Sequence, residues 1–200
     1  MLVGFDFDNT LICYDRLFRQ VALDNVLIPE SIAPQKNAVR DYLRQEGKEN
    51  DWTRLQGEVY GARILEAEPY PGAFETIVKI AQNNIPMCIV SHKSLTPYIG
   101  EPLNLHQAAR DWLTLQGFYS SEGLRWSEGR VFFELTKEEK VERIAAIGCT
   151  HYVDDLPEIL DMLPDKVNKI LFVPNGVVRK HPAWHLMTSW LALPEILGLP

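Results

Sequence analysis

Two aspartates two residues apart, Asp6 and Asp8, follow directly on a short apolar run in Val3-Gly4-Phe5-Asp6-Phe7-Asp8-Asn9-Thr10-Leu11. Where a chain leaves a strand, carboxylates at this spacing can face one pocket without sharing one task. A carboxylate is a weak nucleophile, but phosphorus whose oxygens are neutralised by cations accepts attack from one. A second carboxyl, kept protonated by crowded like charges, can give a proton to a leaving oxygen and later take one from water.

A second acidic group stands in Asp154-Asp155-Leu156-Pro157-Glu158. A magnesium ion takes octahedral oxygen ligands and keeps several waters. Asp154 can ligate it directly, and Asp155 or Glu158 can hold it through water. Together with Asp6 these groups carry too much negative charge to coexist without a cation. A third element is Ser91-His92-Lys93-Ser94, where a hydroxyl and the free N–H groups beyond it can grip phosphate oxygens. His92 and Lys93 can line the same pocket, with Thr10 joining them as a substrate contact. A further lysine must balance the phosphoryl charge, and Lys140 or Lys137 can supply it, Lys140 lying nearer Asp154 in sequence.

The elements that would bring these residues together are short apolar runs, at 2–5, 86–90, 151–153 and 169–173. Each is bounded by polar or turn residues, as buried parallel strands are. Three of them end on Asp6, Ser91 and Asp154, and in open α/β sheets ligands sit at the carboxyl ends of the strands. Between them lie helical stripes: Phe74, Ile77, Val78 and Ala81; Leu105, Ala108, Ala109, Trp112 and Leu113; and Val141, Ile144 and Ala145. The last opens on a capping-box pattern at Thr136 and Glu139 and closes at Gly148. Strands alternating with helices predict an α/β, Rossmann-like parallel sheet with helices on both faces. Residues 13–70 break this rhythm and read as helices near 15–27, 36–46 and 52–66, interrupted by Pro29, Pro34 and Gly47. The expected division is a core of residues 1–12 and 71–200 with a small helical cap insertion at 13–70, which could act as a lid.

The 200 residues, 46% hydrophobic and 24% charged, suit one globular core with a small insertion. A net charge of −7 argues against broad nucleic-acid binding, which needs dense Lys and Arg. No apolar stretch approaches membrane-spanning length and none at the start reads as a signal peptide, so the expected location is the cytoplasm, with no membrane partner. Three cysteines, Cys13, Cys88 and Cys149, have no zinc-type spacing and read as reduced thiols. The tail at 182–200, with Trp184, Trp190, Leu193 and Leu197, is apolar enough to pack back on the domain; it could instead form a homodimer contact.

Taken in order, these motifs resemble the haloacid dehalogenase superfamily. Its first motif, an apolar strand followed by Asp-x-Asp-x-Thr/Val-Leu, matches residues 3–11; its second matches Ile89-Val90-Ser91; its third is a lysine, Lys140 or Lys137; its fourth is an acidic pair, Asp154 with Asp155 or Glu158. Val153 stands where many members have Gly. The resemblance implies that Asp6 is the nucleophile and a metal ligand, and that Asp8 is the general acid/base with its backbone carbonyl on Mg2+. It implies that Ser91 and the lysine hold the phosphoryl group and that Asp154 and Asp155 complete the metal site, with Glu158 behind them. Dehalogenases of the superfamily generally lack the second aspartate, so Asp8 favours phosphoryl transfer. The insert matches the position of the superfamily's first cap class. The expected activity is hydrolysis of a small phosphorylated metabolite through an aspartyl-phosphate. A phosphotransferase using the same intermediate, or a non-catalytic binding domain on this fold, are the alternatives.

Overall fold

The computed structural model describes residues 1–120, 122–174, 176 and 181–199. In chain order the elements are β1 (Val3–Phe5), β2 (Ile12–Cys13), α1 (Asp15–Asp24), α2 (Lys36–Gln45), α3 (Glu49–Tyr60), β3 (Glu68–Pro69), α4 (Ala73–Gln82), β4 (Met87–His92), α5 (Leu105–Leu115), β5 (Val131–Glu134), α6 (Lys137–Ile147), β6 (His151–Asp154), α7 (Pro157–Met162), β7 (Asn168–Phe172), β8 (Trp184–Met187) and α8 (Leu193–Ile196). Six strands form one sheet in the order β5-β4-β1-β6-β7-β8, and β2 pairs with β3 in a separate ribbon. Each pairing in the six-stranded sheet is parallel. The α/β, Rossmann-like parallel sheet expected from the apolar runs is the one observed, extended by β5 and β8, which the sequence reading did not pick out.

The chain divides into two compact units. The first is Met1–Ile12, Pro69–Lys93 and Ser121–Pro200, and it contains the sheet. Side chains alternate across a strand, so Cys88, Val90, Tyr152 and Leu171 share one face, where they pack with Ile144 of α6 and Ile159 and Leu160 of α7. Gly4 lies on that face too: a Cβ there would stand 2.7 Å from the Tyr152 ring and 2.9 Å from Cys149 Sγ, so only glycine lets that ring lie against β1. On the other face Phe5 and Phe172 meet Trp190, with ring centroids 5.4 and 6.1 Å apart. The Trp190 Nε1–H donates to the Thr10 carbonyl at 3.0 Å, and the Trp190 carbonyl accepts from Thr76 Oγ1 at 3.1 Å. The apolar tail is therefore part of this unit's own core: Met187, Trp190, Leu193 and Leu197 are buried and Leu191 is exposed. Trp190→Ala should lower stability by about 3–5 kcal/mol, the range for truncating a buried aromatic, read as a fall in the denaturation midpoint with unchanged m-value.

The second unit is Cys13–Glu68 with Ser94–Ser120. Its first segment carries α1, α2 and α3. Its second segment carries α5, which the sequence reading left with the sheet domain. The reason is visible at Trp112, whose indole N–H donates to the Ala67 carbonyl at 2.8 Å from within a fully buried ring. Around α1 and α3, Phe18 stacks on Trp52 with centroids 5.0 Å apart, and Tyr14 and Tyr60 meet edge-on at 4.9 Å. All three cysteines are free thiols, Cys88 and Cys149 buried with their sulfurs 3.6 Å apart and Cys13 half-buried. No helix among the described residues is long and apolar enough to cross a membrane.

Candidate active site

Register brings the chemistry together. Phe5 pairs with Ile89 on one side and Val153 on the other, so Asp6 leaves β1 level with Asp154 and one residue short of Ser91. The Asp6 N–H still donates to the Val153 carbonyl at 2.9 Å, and the chain then folds back: the N–H groups of Leu11 and Ile12 both reach the Phe7 carbonyl, at 3.0 and 3.2 Å. Asn9 turns this loop with φ 61°, a left-handed conformation that asparagine tolerates better than most residues.

Asp6 Oδ1 accepts two hydrogen bonds, from Ser91 Oγ at 2.8 Å and from Lys140 Nζ at 2.7 Å. Neither donor engages Oδ2. Lys140 Nζ also donates to Asp154 Oδ2 at 2.6 Å, and Asp154 Oδ1 accepts from the Leu156 N–H at 2.9 Å. These groups are nearly out of water: Asp6 is 4% exposed, Ser91 and Lys140 1%, Asp154 0%. Lys140 arrives because α6 starts cleanly at a capping box on Thr136 and Glu139 and ends on Gly148 at φ 81°. Lys140 and Ile144, one turn apart, are the buried residues of that helix, and they face the sheet surface that carries Asp6 and Asp154. Below Lys140 lies the Tyr152 ring, its centroid 5.7 Å from Nζ.

Burial pushes the Asp154 carboxyl up to about 7, with the Asp6 charge adding to the effect and Lys140 opposing it. For Lys140, burial works against the charged form, but the two aspartates outweigh it and hold the ammonium above its usual range. Burial thus acts on both groups, and what separates them is charge: Asp154 has a like charge beside it, whereas Lys140 has two opposite ones.

Asp155 joins the cluster: Asp6, Asp154 and Asp155 can each offer one carboxylate oxygen, all within 4.8 Å of one another. Oxygens around an octahedral magnesium at about 2.1 Å stand roughly 3 Å apart when adjacent and about 4 Å when opposite, so the set fits such an ion with small adjustments. The charge fits as well, since three carboxylates against one ammonium leave a deficit that one divalent cation cancels.

The other residues singled out in the sequence fall elsewhere. Lys137 pairs with Glu158 in an exposed ion pair, so Lys140 is the lysine that reaches Asp6 and Asp154. Lys93 Nζ donates to both oxygens of Asp8, each at 2.9 Å; its ammonium is directed to that carboxylate. His92 is exposed, its Nε2 3.1 Å from the Leu135 carbonyl. Thr10 is fully buried, and its Oγ1 makes no hydrogen bond among the described residues; it shapes the loop from behind, where Trp190 holds its carbonyl. Trp190 and Tyr152 were not found by sequence reasoning as supports of the site. Neither carries a local signal, since a tryptophan in a tail and a tyrosine in a strand read as ordinary core.

No family model matches the chain. A curated protein of Oceanobacillus iheyensis named "Putative nucleotidase" is 26% identical over 200 residues, covering 95% of each chain. Among solved structures, the "putative HAD-hydrolase YfnB" of Bacillus subtilis bound to magnesium superposes with a TM-score of 0.59 at 15% identity, over 99% of this chain and 98% of its own. A "HAD family hydrolase" of Deinococcus radiodurans with bound phosphate and sodium superposes with a TM-score of 0.57 at 15% identity, over 98% and 94%. The chain therefore has the fold of these haloacid dehalogenase-like hydrolases, with its acidic residues and serine at strand ends of the same parallel sheet and its lysine reaching them from α6.

Proposed function

We propose that the chain is a magnesium-dependent phosphatase that hydrolyses a small phosphate monoester through a phosphoryl group carried on Asp6. The observation that carries this reading is the two-donor clamp on Asp6 Oδ1 by Ser91 and Lys140, inside a buried cluster with Asp154 and Asp155. A carboxylate fixed at one oxygen presents the other in a defined direction, and such orientation supplies much of the rate in phosphoryl transfer. Asp6 attacks phosphorus. Ser91 and Lys140 then stand beside the phosphoryl oxygens and stabilise their charge. Asp8 protonates the leaving oxygen and later takes the proton of the water that frees Asp6. Asp6, Asp154 and Asp155 would hold magnesium, which when bound neutralises the phosphoryl oxygens and the crowded carboxylates. The name of the Oceanobacillus relative makes nucleoside monophosphates the first esters to try, beside sugar phosphates.

The test is inorganic phosphate released by the purified protein from p-nitrophenyl phosphate and from a panel of nucleoside monophosphates and sugar phosphates, with magnesium and with a chelator. Release with magnesium that stops on chelation is expected. Magnesium-loaded protein that frees phosphate from none of them defeats the reading.

A further inference from the structure

The Asp8 carboxylate is not left to rotate. Both of its oxygens accept from Lys93 Nζ, each at 2.9 Å. The lysine side chain is 2% exposed and the aspartate side chain 19%. Lys93 is fixed from its own backbone as well, where its N–H donates to the carbonyl of Glu134, the last residue of β5, at 2.9 Å. Its ammonium lies 5.5 Å from the ring centroid of Phe7, the fully buried residue between the two aspartates.

Stability does not account for such a pair. Burying an ammonium forfeits its hydration, and ordering a long lysine side chain forfeits rotamer entropy. A well-packed apolar residue generally serves a fold as well or better. What a two-point hold does give is a carboxylate with both oxygens fixed in space, which proton transfer requires.

We propose that Lys93 is the positioning residue for Asp8 and sets how well the protein handles esters whose leaving group needs a proton. The inference rests on the phosphatase reading. In the first half of that reaction an Asp6 oxygen bonds to phosphorus as the bond from phosphorus to the leaving oxygen breaks, and that oxygen takes the proton of the Asp8 carboxyl. In the second half the oxygen of water bonds to phosphorus as the bond to Asp6 breaks, and the Asp8 carboxylate takes the proton of the water. An aryl oxide departs without help, whereas an alkoxide does not. Misplacing Asp8 therefore harms alkyl esters more than aryl esters, and the difference appears in kcat/KM, which covers the steps up to loss of the alcohol.

The experiment compares kcat/KM for p-nitrophenyl phosphate and β-glycerophosphate in wild-type protein, Lys93→Met and Lys93→Arg, with folding followed by circular dichroism. Lys93→Met should lose on the order of 10²-fold on the alkyl ester, the lower end of what a general acid contributes, and less than about 10-fold on the aryl ester. Lys93→Arg, which keeps a two-point donor, should recover part of the alkyl activity. An equal loss on both esters makes Lys93 a phosphate contact or a structural residue and overturns the proposal, as does no loss on either. If Lys93→Met does not fold, the same split is read on Lys93→Gln, whose neutral and shorter amide cannot hold both Asp8 oxygens. If neither ester is a substrate, the best nucleoside monophosphate or sugar phosphate of the panel serves as the alkyl ester and its phenyl phosphate counterpart as the aryl one; wild-type protein inactive on every ester overturns the phosphatase reading itself, a result distinct from an active wild type without the split.

Discussion

Asp6→Asn should reduce phosphate release by at least about 10⁴-fold, the scale seen when the nucleophile of an enzyme is removed, while leaving the fold intact. The amide is nearly isosteric and keeps an Oδ1 that can accept from Ser91 and Lys140, the two donors that meet it at 2.8 and 2.7 Å. Electrostatics favour the variant's fold: burial raises Asp154 first, and removing the second buried carboxylate beside Lys140 takes away the like charge that adds to it, so the melting temperature without metal should be unchanged or higher. Since Asp6 is also one of three carboxylates able to hold the cation, lower magnesium affinity could mimic the loss. The assay therefore raises magnesium until activity no longer responds. A missing nucleophile leaves the variant inactive at saturation, and acid-quenched wild-type protein should carry one phosphoryl adduct that the variant lacks. Recovery of wild-type activity at high magnesium would reassign Asp6 to a metal ligand alone.

How much of this was legible in the sequence depends on whether a feature is local. Asp6, Ser91 and Asp154 could be found because each stands at the end of an apolar run, and parallel register then carries those ends to one level. The capping box and Gly148 fixed the limits of α6. Between the lysines the sequence offers only the nearness of Lys140 to Asp154; the fold puts Lys137 in the first turn against solvent and Lys140 one turn in and buried. Features set by distant partners were not legible. The stripe on α5 gives an apolar face but not what the face meets, so Trp112 on the Ala67 carbonyl had no forewarning. The strands β5 and β8 are four residues each, at the two edges of the sheet, too short for their alternation to stand out from an apolar loop or tail. Lys93, two residues after a strand-end serine, reads as a phosphate contact until the fold sets Asp8, 85 residues earlier, against its ammonium.

Lys140 is the residue whose loss should most change the fold's response to pH and metal. Its ammonium bridges Asp6 and Asp154 with 2% of its side chain exposed. In Lys140→Met those two carboxylates keep their burial and lose their cation, and breaking a buried pair from one side costs about 3–5 kcal/mol, on the order of 10 °C in melting temperature for a chain of this size. The sign of the pH dependence follows from Asp154. Burial pushes its carboxyl up to about 7 in the fold, from the ordinary 3.8, so the folded state holds the proton more tightly than the unfolded chain. That contribution to stability is present in acid and is lost as pH rises through about 7. Without Lys140 the aspartates depend on protons alone. Lys140 also holds the Asp154 carboxyl down, so its loss lifts that carboxyl further, and the gap between variant and wild type should be small near pH 5 and still widening at pH 8. Magnesium bound by Asp6, Asp154 and Asp155 replaces the missing charge, so saturating magnesium at pH 8 should raise the variant's melting temperature more than the wild type's. Thermal melts at both pH values, with and without magnesium, decide it: a gap independent of pH and untouched by magnesium would mean that Lys140 supports packing and that its charge has no part in holding the aspartates together.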